Sequence, residues 1–254
     1  MPRIISKIKS LVFKKKRVPL ACEMSLDSTH THTDACFVEI APLSIVELFQ
    51  SQGCESCPPA IPAIHKATDH NPNILLLSYD VTYWDGRSGW KDTHGNSTWD
   101  ARQRAYVMKW GRQGIFTPQV IIDGISDGVG RQEGEVNDIL AKAVEVRNNM
   151  ELSVGLEKAS GADLKIASET AETEKYDVLL VTYDPKAETV KIGGGPNKGK
   201  KVVHKNVVKD VLKIDEWEGG NTTVALPNFG ADGFERVALL QQGEGGQIVA
   251  AAKV

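Results

Sequence analysis

Apolar and polar positions along the chain follow two different rhythms, and the change comes near residue 150. In the first stretch, Ser44-Ile45-Val46-Glu47-Leu48-Phe49-Gln50 reads as a strand and residues 60–69 as a helix. Asn73-Ile74-Leu75-Leu76-Leu77-Ser78-Tyr79 is an almost unbroken apolar run, as a central strand buried on both faces requires. Thr98 to Trp110 reads as a helix, with Thr98 as its cap and Asp100 in the first turn. Gln119-Val120-Ile121-Ile122-Asp123 follows as a strand, Asp127-Gly128 as a hairpin turn, and residues 132–148 as a last helix. The order β-α-β-α-β-β-α is that of an α/β architecture.

Beyond residue 150 the helical period is gone. Short strand-like runs at 150–157, 164–168, 176–183, 189–192, 201–205, 207–214, 222–226, 236–241 and 248–252 are separated by Gly, Asp, Pro and Asn turns. This pattern predicts an all-β sandwich. The expected organisation is a tail and linker over 1–36, an α/β domain over 37–149 and a β-sandwich domain over 150–254.

Charge changes this picture only at the N-terminus. The net charge of -3 argues against a chain that binds nucleic acid over its whole surface. That sum hides a basic tail: Arg3, Lys7, Lys9, Lys14, Lys15, Lys16 and Arg17 stand in the first 20 residues without an acid. Ile4, Ile5, Ile8, Leu11 and Val12 fall at helical spacing among them. The tail is read either as a frayed basic terminus or as a weak contact for an anionic membrane surface. Ser6, Lys7 and Lys9 interrupt any secretory apolar core. The expected location is therefore intracellular and cytoplasmic, with a mitochondrial location as the alternative. No run reaches the ~20 apolar residues of a membrane-spanning helix.

Cys22, His30, His32 and Cys36 fit no metal-finger spacing and read as linker, so no metal site and no cofactor are expected. Gly194 to Lys200 nearly spells a phosphate loop. However, Lys201 stands where Ser or Thr is required, and strand-like sequence follows where a helix is required, so it reads as a hairpin loop.

The chemistry concentrates in Gln52-Gly53-Cys54-Glu55-Ser56-Cys57-Pro58-Pro59, between the first strand and the first helix. A Cys-x-x-Cys at such a turn closes a small disulfide ring and puts the first sulfur near a helix N-terminus. There free amides and the helix dipole favour the thiolate. Cys54 is then the attacking sulfur and Cys57 the resolving one. Glu55 opposes the shift by its charge. The alternatives are a structural disulfide and half of a zinc site. Pro58, Pro59 and Pro62 suggest a helix that starts late or kinks. Tyr83, Trp84, Trp90 and Trp99 cluster after the second strand, either as a substrate groove, with Trp84 and Trp90 in it, or as a staple to the core. Arg102 and Tyr106 share a helix face and read as a structural anchor.

The succession strand, Cys-x-x-Cys, helix, strand, helix, Thr117-Pro118, strand resembles thioredoxin-like folds. That resemblance implies a cis Pro118 facing the cysteine pair, with Thr117 beside it, presenting substrate backbone. It also implies a buried acid beneath the pair that relays the proton of Cys57, for which Glu47 is the candidate. The alternatives are an ordinary trans proline and an outward-facing strand acid. Several ordered motifs resemble the domain-of-unknown-function 1223 family of thioredoxin-like, usually secreted bacterial proteins. They are Val46-Glu47-Leu48-Phe49 to Pro59, Ser78 to Asp85, Gly89-Trp90-Lys91-Asp92, Arg102-Gln103-x-x-Tyr106, Thr117 to Val120, Tyr183-Asp184-Pro185 and His204 to Val208. The chain departs from the family at Asp80, where the family carries His. The expected fold is thus a thioredoxin-like α/β domain followed by an all-β sandwich. The expected function is thiol–disulfide exchange with a protein or small thiol or disulfide as partner. Thiolate metal binding (copper delivery) and a non-catalytic interaction module are the alternatives.

Overall fold

The computed structural model describes residues 16–19, 37–40, 42–69, 71–159, 162–168, 174–227 and 233–254. The basic amphipathic stretch 4–12 and Cys22, His30, His32 and Cys36 lie outside the described residues. The chain divides into two units, Met1–Pro42 and Leu43–Val254. In the first, β1 (Lys16–Pro19) pairs antiparallel with β2 (Phe37–Ile40), Lys16 opposite Ile40. The segment expected as tail and linker therefore carries a strand, because the Phe37-Val38-Glu39-Ile40 run supplies it with an edge.

In the second unit the first elements are β3 (Ser44–Gln50), α1 (Cys57–Asp69), β4 (Ile74–Asp80), the one-turn α2 (Asp85–Ser88) and α3 (Ser97–Lys109). Then come β5 (Gln119–Ile122), β6 (Ser126–Gly128) and α4 (Glu133–Asn148). Helix α1 begins at Cys57, earlier than residue 60, and runs through Pro62. Pro58 and Pro59 sit in the first turn, where the missing N–H groups have no carbonyl to meet. The cap of α3 is Asn96, whose side chain accepts from Thr98 N at 3.0 Å, and not Thr98. The reversal after β5 is at Asp123-Gly124, with φ of 53° and 64°, and Asp127-Gly128 lies on β6 instead. Glycine is required at 124, since a Cβ there would stand 2.3 Å from Gly246 O.

The second half contributes β7 (Val154–Lys158), β8 (Asp163–Ser168), β9 (Tyr176–Asp184), β10 (Glu188–Lys191), β11 (Lys201–His204) and β12 (Val207–Trp217). It ends with β13 (Thr222–Ala225), β14 (Glu235–Gln241) and β15 (Ile248–Lys253). These strands match the expected runs closely, but their pairing corrects the expected separate sandwich. A single eight-stranded mixed sheet has the order β15-β14-β9-β12-β4-β3-β5-β6 and crosses residue 150. β3 and β12 are both parallel to β4, while β12–β9, β14–β9, β14–β15, β3–β5 and β5–β6 are antiparallel. The largely apolar β4 would otherwise present an open edge; β12 covers it from Val207, opposite Ser78. β7, β8 and β13 make a small antiparallel sheet of order β13-β8-β7, and β10–β11 is a hairpin.

Two cores follow. On one face of the sheet, Ile45, Phe49, Leu77, Tyr79 and Ile121 pack with Trp99 and Tyr106 of α3 and with Val181, Tyr183 and Leu239 from beyond residue 150. The opposite face of the sheet's far end, with Val178, Leu180, Ala238 and Leu240, packs with Leu164, Ile166 and Val224 of the small sheet and with Trp217. Among the described residues no helix is long and apolar enough to cross a membrane.

Candidate active site

The end of β3 and the start of α1 place the cysteines. Cys57 opens the helix, and Cys54 stands three residues before it, in a turn closed by Cys54 N to Ser51 O at 3.2 Å and Cys57 N to Cys54 O at 3.3 Å. Both cysteines are free thiols, 2% and 0% exposed. The Cys54 Sγ lies 3.4 Å from Thr117 O, and the Thr117–Pro118 bond is cis. The Trp84 indole N–H donates to Thr117 Oγ1 at 2.8 Å, which leaves the hydroxyl hydrogen available to the sulfur.

This setting divides the two thiols. The hydrogen bond from Cys57 is the largest influence on Cys54; with help from Thr117 and the Ser56 and Cys57 amides it outweighs burial and lowers the Cys54 pKa to about 6. Burial, reinforced by Cys54, pushes Cys57 well above the ordinary thiol range. Glu55 is exposed, so its opposing charge is screened by water. A cavity of about 380 Å³ opens over Cys54, walled by Trp84, Arg87, Thr117 and Pro196 among others.

Of the aromatic cluster, only Trp84 lines this cavity. Trp90, expected in the groove, instead donates its indole N–H to Gln52 Oε1 at 2.9 Å and packs against Gly193 and Gly194. Trp99 lies in the core, edge-on to Tyr79.

Glu47, expected beneath the cysteine pair, is corrected by the strand period. Leu48 stands opposite Val120, on the face covered by α1 and α4, so Glu47 shares the other face with Ile45 and Phe49. Its Oε1 accepts from Arg102 Nε at 2.7 Å and its Oε2 from Tyr106 Oη. Arg102 also donates to Tyr106 Oη and, at 3.2 Å, to Gln241 Oε1. Both carboxylate oxygens are thus engaged, and the Arg102/Tyr106 pair is the anchor of a buried acid.

Several site residues escaped the sequence reading. Asn197, fully buried, donates from Nδ2 to Gln52 O at 2.9 Å and to Cys54 O at 2.7 Å. Gln52 N donates to Asp92 Oδ2 at 2.7 Å. Because Gln52 Oε1 receives Trp90 Nε1 and Thr93 N, its amide nitrogen faces Thr93 Oγ1 and His204 Nε2. The His204 Nδ1 lies 3.2 Å from Asp80 Oδ1, with both side chains buried. Burial opposes a charge on His204, but Asp80 outweighs it and the His204 pKa is raised. Burial, then the charge of Asp80, lifts Asp92 to about 7. Asp80 and His204 thus form a buried pair behind Gln52. Gly194 to Lys200 is a hairpin loop, as its sequence suggests, with a 3-10 turn at Gly195–Asn197. Among the described residues no group of three or more His, Cys, Asp or Glu is arranged to hold a metal ion.

Comparison with known proteins agrees with the ordered motifs. The crystal structure of protein AGR_C_4864 from Agrobacterium tumefaciens is similar, at 31% identity and a TM-score of 0.65, covering 83% of this chain and 93% of that one. HBP35 of Porphyromonas gingivalis shares the fold alone, at 12% identity and a TM-score of 0.55, covering 84% and 74%. No curated protein matches the chain. Residues 45–241 match the family described as "Protein of unknown function (DUF1223)", and with most of its length inside that match the chain belongs to this family.

Proposed function

We propose that the protein is a thiol–disulfide oxidoreductase whose first half is a thioredoxin-like unit, with Cys54 as nucleophile and Cys57 as resolving thiol. The asymmetry of the pair carries the reading. One sulfur is stabilised as thiolate beside a cavity, and its neighbour is sealed and held as a thiol. Thr117, from the segment before β5, meets the Cys54 sulfur, which fits the role of the substrate-facing loop in such folds.

In the reducing direction the Cys54 thiolate attacks one sulfur of a substrate disulfide. The bond from Cys54 to that sulfur forms, the substrate S–S bond breaks, and the other substrate sulfur leaves as thiolate. Cys57 then loses its proton to that leaving thiolate or to water and attacks Cys54 Sγ. The intramolecular disulfide forms and the second substrate sulfur leaves. The substrate gains two electrons, and the protein pair is oxidised by two. The substrate is a protein or small-molecule disulfide, and the same steps run in reverse for oxidation.

Equilibration of the full chain in graded glutathione buffers, followed by acid trapping and peptide mapping, tests the proposal. A two-electron transition to a Cys54–Cys57 disulfide is expected. Cys57→Ser should accumulate glutathione on Cys54, and Cys54→Ser should form neither species. Absence of the Cys54–Cys57 disulfide at every ratio overturns the reading.

A further inference from the structure

The loop between β10 and β11 has no role in the exchange chemistry itself, yet it is fastened to the cysteine turn at two places. Asn197 spans two backbone carbonyls of that turn, those of Gln52 and Cys54, and Lys200 Nζ holds Asn197 Oδ1 at 2.8 Å. At the loop's other end Gly193 lies flat against Trp90, since a Cβ there would come within 2.6 Å of the indole. A Cβ on Gly194 would come within 2.8 Å of Gly89 O. Trp90 in turn is tied to Gln52, so both fastenings reach Gln52, and the first also reaches Cys54 itself. Between them Pro196 projects into the wall of the cavity over Cys54, facing the same space as Trp84 and Thr117.

A cysteine that is 2% exposed meets only what enters that space. The cavity, at about 380 Å³, is near the small end of ligand-sized pockets. A disulfide set in a rigid folded surface brings neighbouring backbone that Pro196 and Trp84 would obstruct. A low-mass disulfide, or one on an extended segment, does not. We infer that the Gly193–Lys200 loop is a selectivity wall of the cysteine site: Pro196 narrows the approach to Cys54, Asn197 positions the wall on the cysteine turn, and the site takes slim disulfides. The assignment of a disulfide substrate rests on the function proposed above; the wall itself does not.

The test reads access to Cys54 by thiol addition, which needs no redox partner. The thiolate adds across the maleimide double bond, the S–C bond forms as the π bond breaks, and the adjacent carbon takes a proton from water. Reduced full-length protein is treated with N-ethylmaleimide or with a maleimide fixed by a short link to the surface of a small folded protein, each rate normalised to free glutathione. Mass spectrometry of the Cys54 peptide keeps the other cysteines out of the count. The wild type should discriminate against the bulky reagent by at least about tenfold, roughly 1.4 kcal/mol of barrier. Pro196→Gly and Asn197→Ala should each remove most of that ratio, and a general loss of stability would not change a ratio measured on folded protein. Should Asn197→Ala fail to fold, Pro196→Gly carries the test. Absence of discrimination in the wild type, or an unchanged ratio in the folded variants, overturns the wall. Discrimination without any Cys54–Cys57 disulfide in glutathione buffer upholds the wall and sinks the redox reading instead.

Discussion

Two buried polar clusters flank strand β3, and they are built in opposite ways. In the middle of the strand, Glu47 has both oxygens bound, Arg102 contacts Glu47, Tyr106 and Gln241, and the guanidinium lies over the Tyr79 and Tyr106 rings at 5.6 and 5.4 Å. At the end of the strand, Cys54 has hydrogen bonds that favour its charge and a cavity in front of it. The first cluster has its carboxylate and guanidinium paired within the core and is a fastening. The second keeps one nucleophilic atom facing open space and is where reaction can occur. Burial and a charged residue near a Cys-x-x-Cys do not identify a relay; the state of its partners does.

The largest effect that would sharpen this contrast is at Glu47. Glu47→Gln leaves the Arg102 guanidinium buried without its counter-ion and should cost about 3–5 kcal/mol of folding stability, read by urea denaturation. The Cys54 alkylation rate of the folded variant should be unchanged; a changed rate would tie the two clusters together. Asn197→Ala should cost less, about 1–3 kcal/mol for carbonyls left without their donor, but it should alter Cys54 reactivity, the reverse of the Glu47 pattern. The remaining effect, a pH dependence rather than a fixed loss, is at Asp92. Its folded pKa of about 7 exceeds the ordinary 3.8, so the fold is favoured while this carboxyl holds its proton. That contribution is lost as pH rises from 3.8 through about 7. Asp92→Asn should therefore flatten the stability profile in this window, and an unaltered slope would assign the pH dependence elsewhere.

Much of this was legible along the chain. Period and turn residues locate most strands and helices, though not β1, β2 or α2, and Cys54 and Trp84, both singled out along the chain, line one cavity. The face of Glu47 was readable too, since the period of two in β3 groups it with Ile45 and Phe49. Strand pairing was not. Nothing in Val207–Trp217 says that it borders β4, because edge pairing is decided by which apolar edge remains open after the rest has packed. Asn197 was hidden for a similar reason: its two acceptors lie 145 and 143 residues away, and no local pattern marks an asparagine in a glycine-rich loop as a partner of distant carbonyls. Asp80 and His204 could be picked out as motif positions, but their pairing is tertiary.

The central claim is that Cys54 is held as a thiolate while Cys57 is not. The direct measurement is the pH dependence of alkylation at each cysteine, followed on separate peptides of the reduced protein. The Cys54 rate should rise to a plateau with a midpoint at about pH 6, with Cys57 unreactive across that range. A Cys54 midpoint near the ordinary thiol value of 9.0, or equal reactivity of the two sulfurs, would contradict the account.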